Sequence, residues 1–220
     1  MNNRYNKIKS SIFLLLALFM SFHLVSFKAA KQALKIDYFG EISLPDEMEI
    51  QAGSLKELTD AYGKTILGNL DNHQSLVFQQ KGLNSADPNS FKTYARVVID
   101  TYMGEKGTYK QLSEKNNLTN EDISFYKSNF ETQLKTIWPQ AKQKLISSTE
   151  TVIIKVGNHY CTKHSYIRQL ENSPQVFVEV FRFQNNDRVH LISFSYRTQD
   201  ETKWKNIMDS VLKSIKLTKF

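Results

Sequence analysis

The chain has 220 residues, a single cysteine and a formal net charge of +7. Residues 1–30 carry four of the basic residues and no acidic one, so 25 basic and 22 acidic residues remain beyond them, a net charge of only +3. Such a small excess, without a cluster of Lys and Arg, argues against a nucleic-acid-binding protein, and one cysteine excludes an internal disulfide.

The first 30 residues have the pattern of a secretory signal peptide. A basic start, Met1–Lys9, precedes the apolar run Ile12–Phe27, and two small residues, Ala29 and Ala30, follow it. Polar residues interrupt the run, which is shorter than the ~20 clean apolar residues of a membrane-spanning helix. We therefore expect export from a bacterial cell to the periplasm or the medium. Because Lys28 stands where a small residue normally precedes the cleavage site, an uncleaved N-terminal membrane anchor is the alternative.

Residues 31–220 are predicted to form one domain, because their number is typical of a single domain. The helices and strands predicted below place that domain in the α+β class. Alternating apolar and polar residues over 36–51 predict two short strands. Ser54 begins the S-x-x-E spacing of a capping box, which predicts a helix to about Leu67. Two runs rich in β-branched and aromatic residues predict the next strands, Ser75–Gln80 and Tyr94–Tyr102.

A second helix and most of the strands are predicted in the rest of the chain. Thr119 is suited to cap a helix that ends near Trp138, before Pro139. Asp200 is predicted to cap the last helix. Asn185-Asn186-Asp187 predicts a tight hairpin turn, because these residues tolerate left-handed backbone. The predicted strands are Glu150–Val156, His159–Leu170, Gln175–Phe183 and Arg188–Arg197.

The strand predicted over Gln175–Phe183 is apolar on both faces. Val176, Val178 and Val180 face one way, and three phenylalanines face the other. A strand of this kind needs cover on both faces. We therefore predict a central antiparallel β-sheet with helices packed on both faces, an α/β/α sandwich.

Several strings along the chain, in this order of elements, match a known pattern. They are FGEISLP, VFQQKGLN, ARVVID, KVGNHYCTKHSYIRQL, VFVEVFRFQNNDRVHLISFSYR and DETKWKNIMDSVLKSIKL. Together they resemble the fold family of PsbP, the Mog-type Ran-binding proteins and the bacterial envelope protein DcrB, over residues 36–218. The resemblance implies the same sandwich and a role in binding or assembly. It implies no particular partner, so the expected partner is an unidentified envelope protein or membrane-associated complex.

His159, Cys161 and His164 form an H-x-C-x-x-H cluster that could be read as a metal site. In an extended strand, however, His159 and Cys161 share a face and His164 points to the other. A reactive Cys161 would also need a base and an electropositive setting to lower its pKa. We therefore expect strand residues here, with no metal ligand and no nucleophile.

Other catalytic signatures are lacking from the sequence. There is no phosphate-binding glycine loop, dinucleotide fingerprint or nucleophile elbow. Acidic pairs lie at predicted turns and helix starts, where capping explains them: Asp46-Glu47, Glu121-Asp122 and Asp200-Glu201. We predict a protein that is not an enzyme and has no cofactor and no catalytic residue.

Tyrosine and arginine, which are enriched in interface hot spots, recur together along the predicted strands. The wider set consists of Tyr94, Tyr102, Tyr160, Tyr166, Tyr196, Arg96, Arg168 and Arg197. The candidate partner or ligand surface consists of Tyr166, Arg168, Tyr196 and Arg197, although some of these rings could instead pack in the core. Two functions are open: an exported non-catalytic binding or assembly protein, or a carrier of a small apolar or aromatic ligand held between sheet and helices.

Overall fold

A computed structural model describes the chain over residues 32–53, 56–57, 73–113, 118–132 and 142–218. These residues belong to one compact unit that spans residues 31–220. The predicted signal peptide, most of the predicted helix from Ser54 to Leu67, and the predicted helix end near Trp138 lie outside the described residues.

Eleven strands and two helices of the described ranges are used below. The helices are α1 (Asn120–Thr132) and α2 (Glu201–Lys213). The strands are β1 (Gln32–Ile36), β2 (Gly40–Leu44), β3 (Met48–Ile50), β4 (His73–Gln80), β5 (Ala95–Met103), β6 (Gln143–Ser148), β7 (Val152–Val156), β8 (His159–Leu170), β9 (Val176–Asn185), β10 (Arg188–Arg197) and β11 (Lys216–Leu217). None of the helices in these ranges has the length and apolar character needed to cross a membrane.

The strands form two sheets. β1, β2 and β11 make a small sheet, and the large sheet has the order β3-β4-β5-β10-β9-β8-β6, with β7 also paired to β8. Each of these pairings is antiparallel, as predicted. Three strands were not predicted. β6 reads QKLISS, which is too polar to signal a strand, β1 directly follows the leader, and β11 has only two residues.

One turn and one helix cap have the structure predicted from the sequence, and a second helix cap does not. Asn186 has φ 63° in the β9–β10 hairpin, as predicted. The backbone N–H of Asp122 donates to Thr119 Oγ1 over 3.1 Å, so α1 is capped as expected. Asp200 is at the cap position of α2 but makes no side-chain capping bond. Its carboxylate instead accepts from Thr93 Oγ1 at 2.8 Å, which ties α2 to the start of β5.

The core lies between one face of the large sheet and α2. Trp204, Met208 and Val211 are buried and recur at the spacing of one helical face. They lie over sheet residues such as Ile192 and Phe194, which are buried in the same hydrophobic cluster. α2 also contacts β2 of the small sheet. The helix therefore contacts both sheets, which also meet directly where the Phe39 ring lies 5.1 Å from that of His190.

The opposite face of the large sheet, here called the second face, is built differently. It carries the valines of β9, but it also carries arginines and tyrosines from the neighbouring strands. Among the described residues, α1 reaches it through Phe130, whose ring centroid is 4.8 Å from that of His164. The antiparallel sheet and the α+β class are as predicted. Helical cover of both faces remains a prediction, because α2 covers one face and the described part of α1 has no buried residue.

Candidate functional site

A group of basic and aromatic residues lies on the second face, close to one end of the sheet. Strand register places Arg96 opposite Ser195, Ser195 opposite Val178, and Val178 opposite Tyr166, which makes one row across four strands. In the next row, Val176 lies between two arginines. They are Arg168 and Arg197.

The middle of these rows is occupied by small residues, Ser195, Val176 and Val178, and the arginines and Tyr166 lie on either side of them. Because neighbouring strands are ~4.8 Å apart, the Cα atoms of Arg168 and Arg197 are separated by roughly 10 Å. The group is called the arginine–tyrosine surface below and consists of Tyr94, Arg96, Tyr166, Arg168 and Arg197.

Tyr94 reaches a small residue of these rows, and Tyr166 is largely shielded from water. The hydroxyl of Tyr94 is 3.2 Å from Ser195 Oγ, in a hydrogen bond that either group can donate. Burial raises the pKa of Tyr166, the nearby guanidinium of Arg168 opposes that rise, and Tyr94 adds to it. The three side chains are therefore close enough to influence one another, and the raised pKa keeps the Tyr166 phenol protonated near neutral pH.

Two arginines of this surface donate to neutral groups. Arg168 Nη1 donates to Gln143 Oε1 at 2.8 Å, and Arg197 Nη1 donates to the carbonyl oxygen of Phe91 at 3.4 Å. Within the described ranges, no carboxylate forms an ion pair with Arg96, Arg168 or Arg197. Three positive charges thus lie close together with no described carboxylate in an ion pair with them, and an anionic group of a partner would complement them.

Three of the four predicted surface residues are brought together and one is not. Tyr166, Arg168 and Arg197 lie on the second face, whereas Tyr196 is 3% exposed in the core beneath α2. Its ring centroid is 5.4 Å from that of Phe177, and burial raises its pKa to about 12. Adjacent residues of a strand point to opposite faces, so Tyr196 and Arg197 could not have belonged to one surface. Tyr94 and Arg96 complete the surface instead.

The H-x-C-x-x-H cluster has the strand geometry that its spacing predicts. The register places Cys161 on the α2 side of β8, two residues from His159, while His164 lies on the second face against Phe130. No group of three or more potential metal ligands comes together in the described part of the chain.

Cys161 is expected to be inert in the folded protein. It is 0% exposed, and burial raises its pKa to about 12, against a smaller opposing effect of Lys163. Since the thiolate is the reactive form, iodoacetamide at pH 8 should alkylate the folded protein at least about a hundredfold more slowly than the urea-unfolded protein. Intact-mass spectrometry of timed samples measures this ratio. Equal rates in the two states would show that the thiol is accessible.

Two open hollows lie elsewhere on the surface. One, of about 420 Å³, is lined by the β1–β2 turn and β11, including Tyr38 and Lys216. The other, of about 440 Å³, lies between β2 and α2 and is lined by polar residues such as Asp209 and Lys213. Neither lies on the second face, and neither has the enclosed apolar lining of a typical small-ligand pocket.

Comparison with known proteins finds likeness of structure. No family model matches the chain. No curated protein matches its sequence. The solution structure of cyanobacterial PsbP (CyanoP) from Synechocystis sp. PCC 6803 is similar, with a TM-score of 0.48 and 11% identity over 88% of this chain and 96% of that one. PsbP is thus among its structural neighbours, as the sequence pattern predicted.

A crystal structure from Bacteroides thetaiotaomicron VPI-5482 is also similar. Its TM-score is 0.47, with 9% identity over 87% of this chain and 49% of that one, so the chain spans about half of that protein. At such identities the likeness concerns the course of the backbone, and no site residue is carried over from either structure.

Proposed function

We propose that this chain is an exported, non-catalytic binding or assembly protein of the bacterial cell envelope. It binds an envelope protein or a membrane-associated complex through the arginine–tyrosine surface. The observation that carries this proposal is the grouping of three arginines and two tyrosines on one sheet face, where no described carboxylate pairs with the arginines.

The residue types of this surface suit recognition. Tyrosine offers a rigid, amphipathic contact area at a low cost in side-chain entropy, and arginine offers five donors in a planar fork. Arg168 and Arg197 are half-buried, so their stems are already packed while their charges lack a carboxylate partner. A partner that brings carboxylates or phosphates would form charge-assisted hydrogen bonds with them.

A non-catalytic role is supported by the state of the groups that could react. Burial raises the pKa of Cys161 to about 12, and burial lowers the pKa of His190 to about 4, so each is held in its neutral form near pH 7. Both lie in the core and away from the arginine–tyrosine surface. Export is supported by the basic start and apolar run of residues 1–30.

Cross-linking of the tagged protein in its own cells tests the proposal. The captured proteins and the N-terminal peptide of the chain itself would be identified by mass spectrometry. A reproducible envelope partner, together with an N-terminus near residues 29–34, is the expected result. A cytoplasmic partner with the leader still attached would contradict both export and the proposed role.

Reversing one charge of the surface should disrupt capture of that partner. Arg168→Glu is expected to reduce the cross-linked yield about tenfold, because a like charge would then face the anionic group of the partner. Lys144→Glu is the matched control, since Lys144 is exposed on β6 and the register places it on the other face of the sheet. Equal losses in the two variants would show that only net charge matters and would remove the surface from the proposal.

A further inference from the structure

Unsatisfied polar atoms are concentrated at one place on the second face. His164 Nδ1, His164 Nε2 and Arg182 Nε are buried and have no hydrogen-bond partner. Buried polar atoms without a partner are uncommon in folded proteins, and each one calls for a water, an ion or a ligand. Three of the five such atoms among the described residues belong to His164 and Arg182, which makes this the strongest candidate for an additional bound group.

The strand register brings these two residues together. His164 of β8 lies opposite Val180 of β9, and Arg182 is two residues further along β9, opposite Thr162. The two residues are therefore diagonal neighbours on the same face, with Cα atoms roughly 7–8 Å apart. A small group placed between their side chains could accept hydrogen bonds from both.

An aromatic ring already covers this place. The centroid of the Phe130 ring is 4.8 Å from that of His164 and 5.3 Å from that of Tyr166. Phe130 lies near the end of α1, which has no buried residue along its 13 residues. No side chain of the described helix is fully buried and Phe130 itself is half-buried, so we expect the Phe130 ring to move aside for a ligand.

We propose that the place between His164 and Arg182 binds a small aromatic carboxylate, whose ring takes the position that Phe130 occupies. One carboxylate oxygen accepts from Arg182 Nε and the other from an N–H of His164. Val180 and Tyr166 line the position of the ring. This inference goes beyond the proposed function and does not depend on it. The two places share Tyr166, but the arginines of the partner surface lie in other rows of the sheet than His164 and Arg182.

The two halves of such a ligand are required by different features. Guanidinium is a donor with a permanent charge, so it favours an anion over a neutral oxygen. The ring of Phe130 shows that the space over His164 and Tyr166 accepts an aromatic group in edge-on and tilted contacts. An inorganic anion lacks the ring, and a neutral aromatic alcohol lacks the charge.

Nuclear magnetic resonance of the histidine ring protons tests this site. The protein used is the full chain, purified in the form that the expressing cells produce. The His164 signal is assigned by its loss in His164→Gln, and benzoate, acetate and benzyl alcohol are titrated in turn. Benzoate is expected to shift this signal in a saturable way. Acetate and benzyl alcohol are expected to bind with affinities at least about tenfold lower. Arg182→Gln should weaken benzoate binding by about tenfold to a hundredfold, since a hydrogen bond to a charged group is lost.

Two further variants complete the test. Phe130→Ala should tighten benzoate binding, because its ring no longer competes, and Lys144→Gln should leave binding unchanged despite the same loss of charge as Arg182→Gln. The proposal is overturned by the lack of a saturable shift at His164 in both the natural chain and Phe130→Ala. It is also overturned if benzyl alcohol binds as tightly as benzoate, or if Lys144→Gln weakens binding as much as Arg182→Gln. Failure here leaves capture of an envelope partner unaffected.

Discussion

Replacing Trp204 by alanine is expected to lower the free energy of unfolding by about 3–5 kcal/mol. The side chain is 1% exposed and lies on the buried stripe of α2 that covers the large sheet. Its Nε1–H donates to Thr93 Oγ1 at 2.7 Å, and that hydroxyl donates in turn to Asp200 Oδ2 at 2.8 Å. The substitution would leave a cavity and a hydroxyl without its donor.

Urea unfolding followed by circular dichroism measures this change in the free energy of unfolding. Lys213→Ala is the control, because Lys213 is exposed on the last turn of the same helix and should change that free energy by about 0.5 kcal/mol or less. A loss below about 1 kcal/mol in Trp204→Ala would contradict the packing of α2 against the sheet.

The second large effect is a loss of stability at acidic pH that comes from His190. This residue is 0% exposed, its Nδ1 is 2.9 Å from Thr101 Oγ1, and its ring is 5.1 Å from that of Phe39. Its pKa is lowered from an ordinary value of 6.5 to about 4. Burial is the main cause, and the positive charge of Arg188 contributes to the same shift.

The direction of the pH effect follows from that lowered pKa. Between pH 6.5 and about 4 the unfolded chain has a protonated His190 and the folded chain does not, so the unfolded state binds more protons. The stabilisation is fully present above pH 6.5 and is lost as the pH falls toward 4. Over this range the loss of unfolding free energy amounts to roughly 2–3 kcal/mol for this one group.

A comparison of His190→Gln with the natural chain isolates this contribution from other titrating groups. Unfolding free energies would be measured for both proteins at pH 7 and at pH 4.5. Glutamine does not titrate, so the variant is expected to lose less stability than the natural chain over this pH range. The same loss in both proteins would show that His190 does not titrate differently in the folded and unfolded states.

Much of the fold could be predicted because its strands carry strong alternation. β8, β9 and β10 are long, rich in β-branched and aromatic residues, and separated by clear turn residues, so their bounds differ from the predicted ones by at most two residues. β6 could not be predicted, since its sequence is polar and its pairing with β8 contains a register shift between Leu145 and Ser147. Its place as an edge strand is a matter of tertiary structure.

The candidate surface was predicted only in part because it is assembled from distant segments. Residues 94–96, 166–168 and 197 meet through the register of β5, β10, β9 and β8, which no local pattern specifies. Alternation alone separates Tyr196 from Arg197, but it does not tell which of them faces α2. Similarly, an aspartate at position 200 suits a helix cap. Its carboxylate instead accepts a hydrogen bond from Thr93, because the start of β5 lies beside it.

Site-specific photo-cross-linking in the native cells tests the central claim most directly. A photoreactive amino acid would be placed at position 168 on the arginine–tyrosine surface, or at position 144 on the other face, and cross-linked products would be identified by mass spectrometry after irradiation. A single envelope protein captured from position 168 and not from position 144 is the predicted result. Capture of the same protein from both positions, or of none from position 168 in a correctly exported chain, would contradict it.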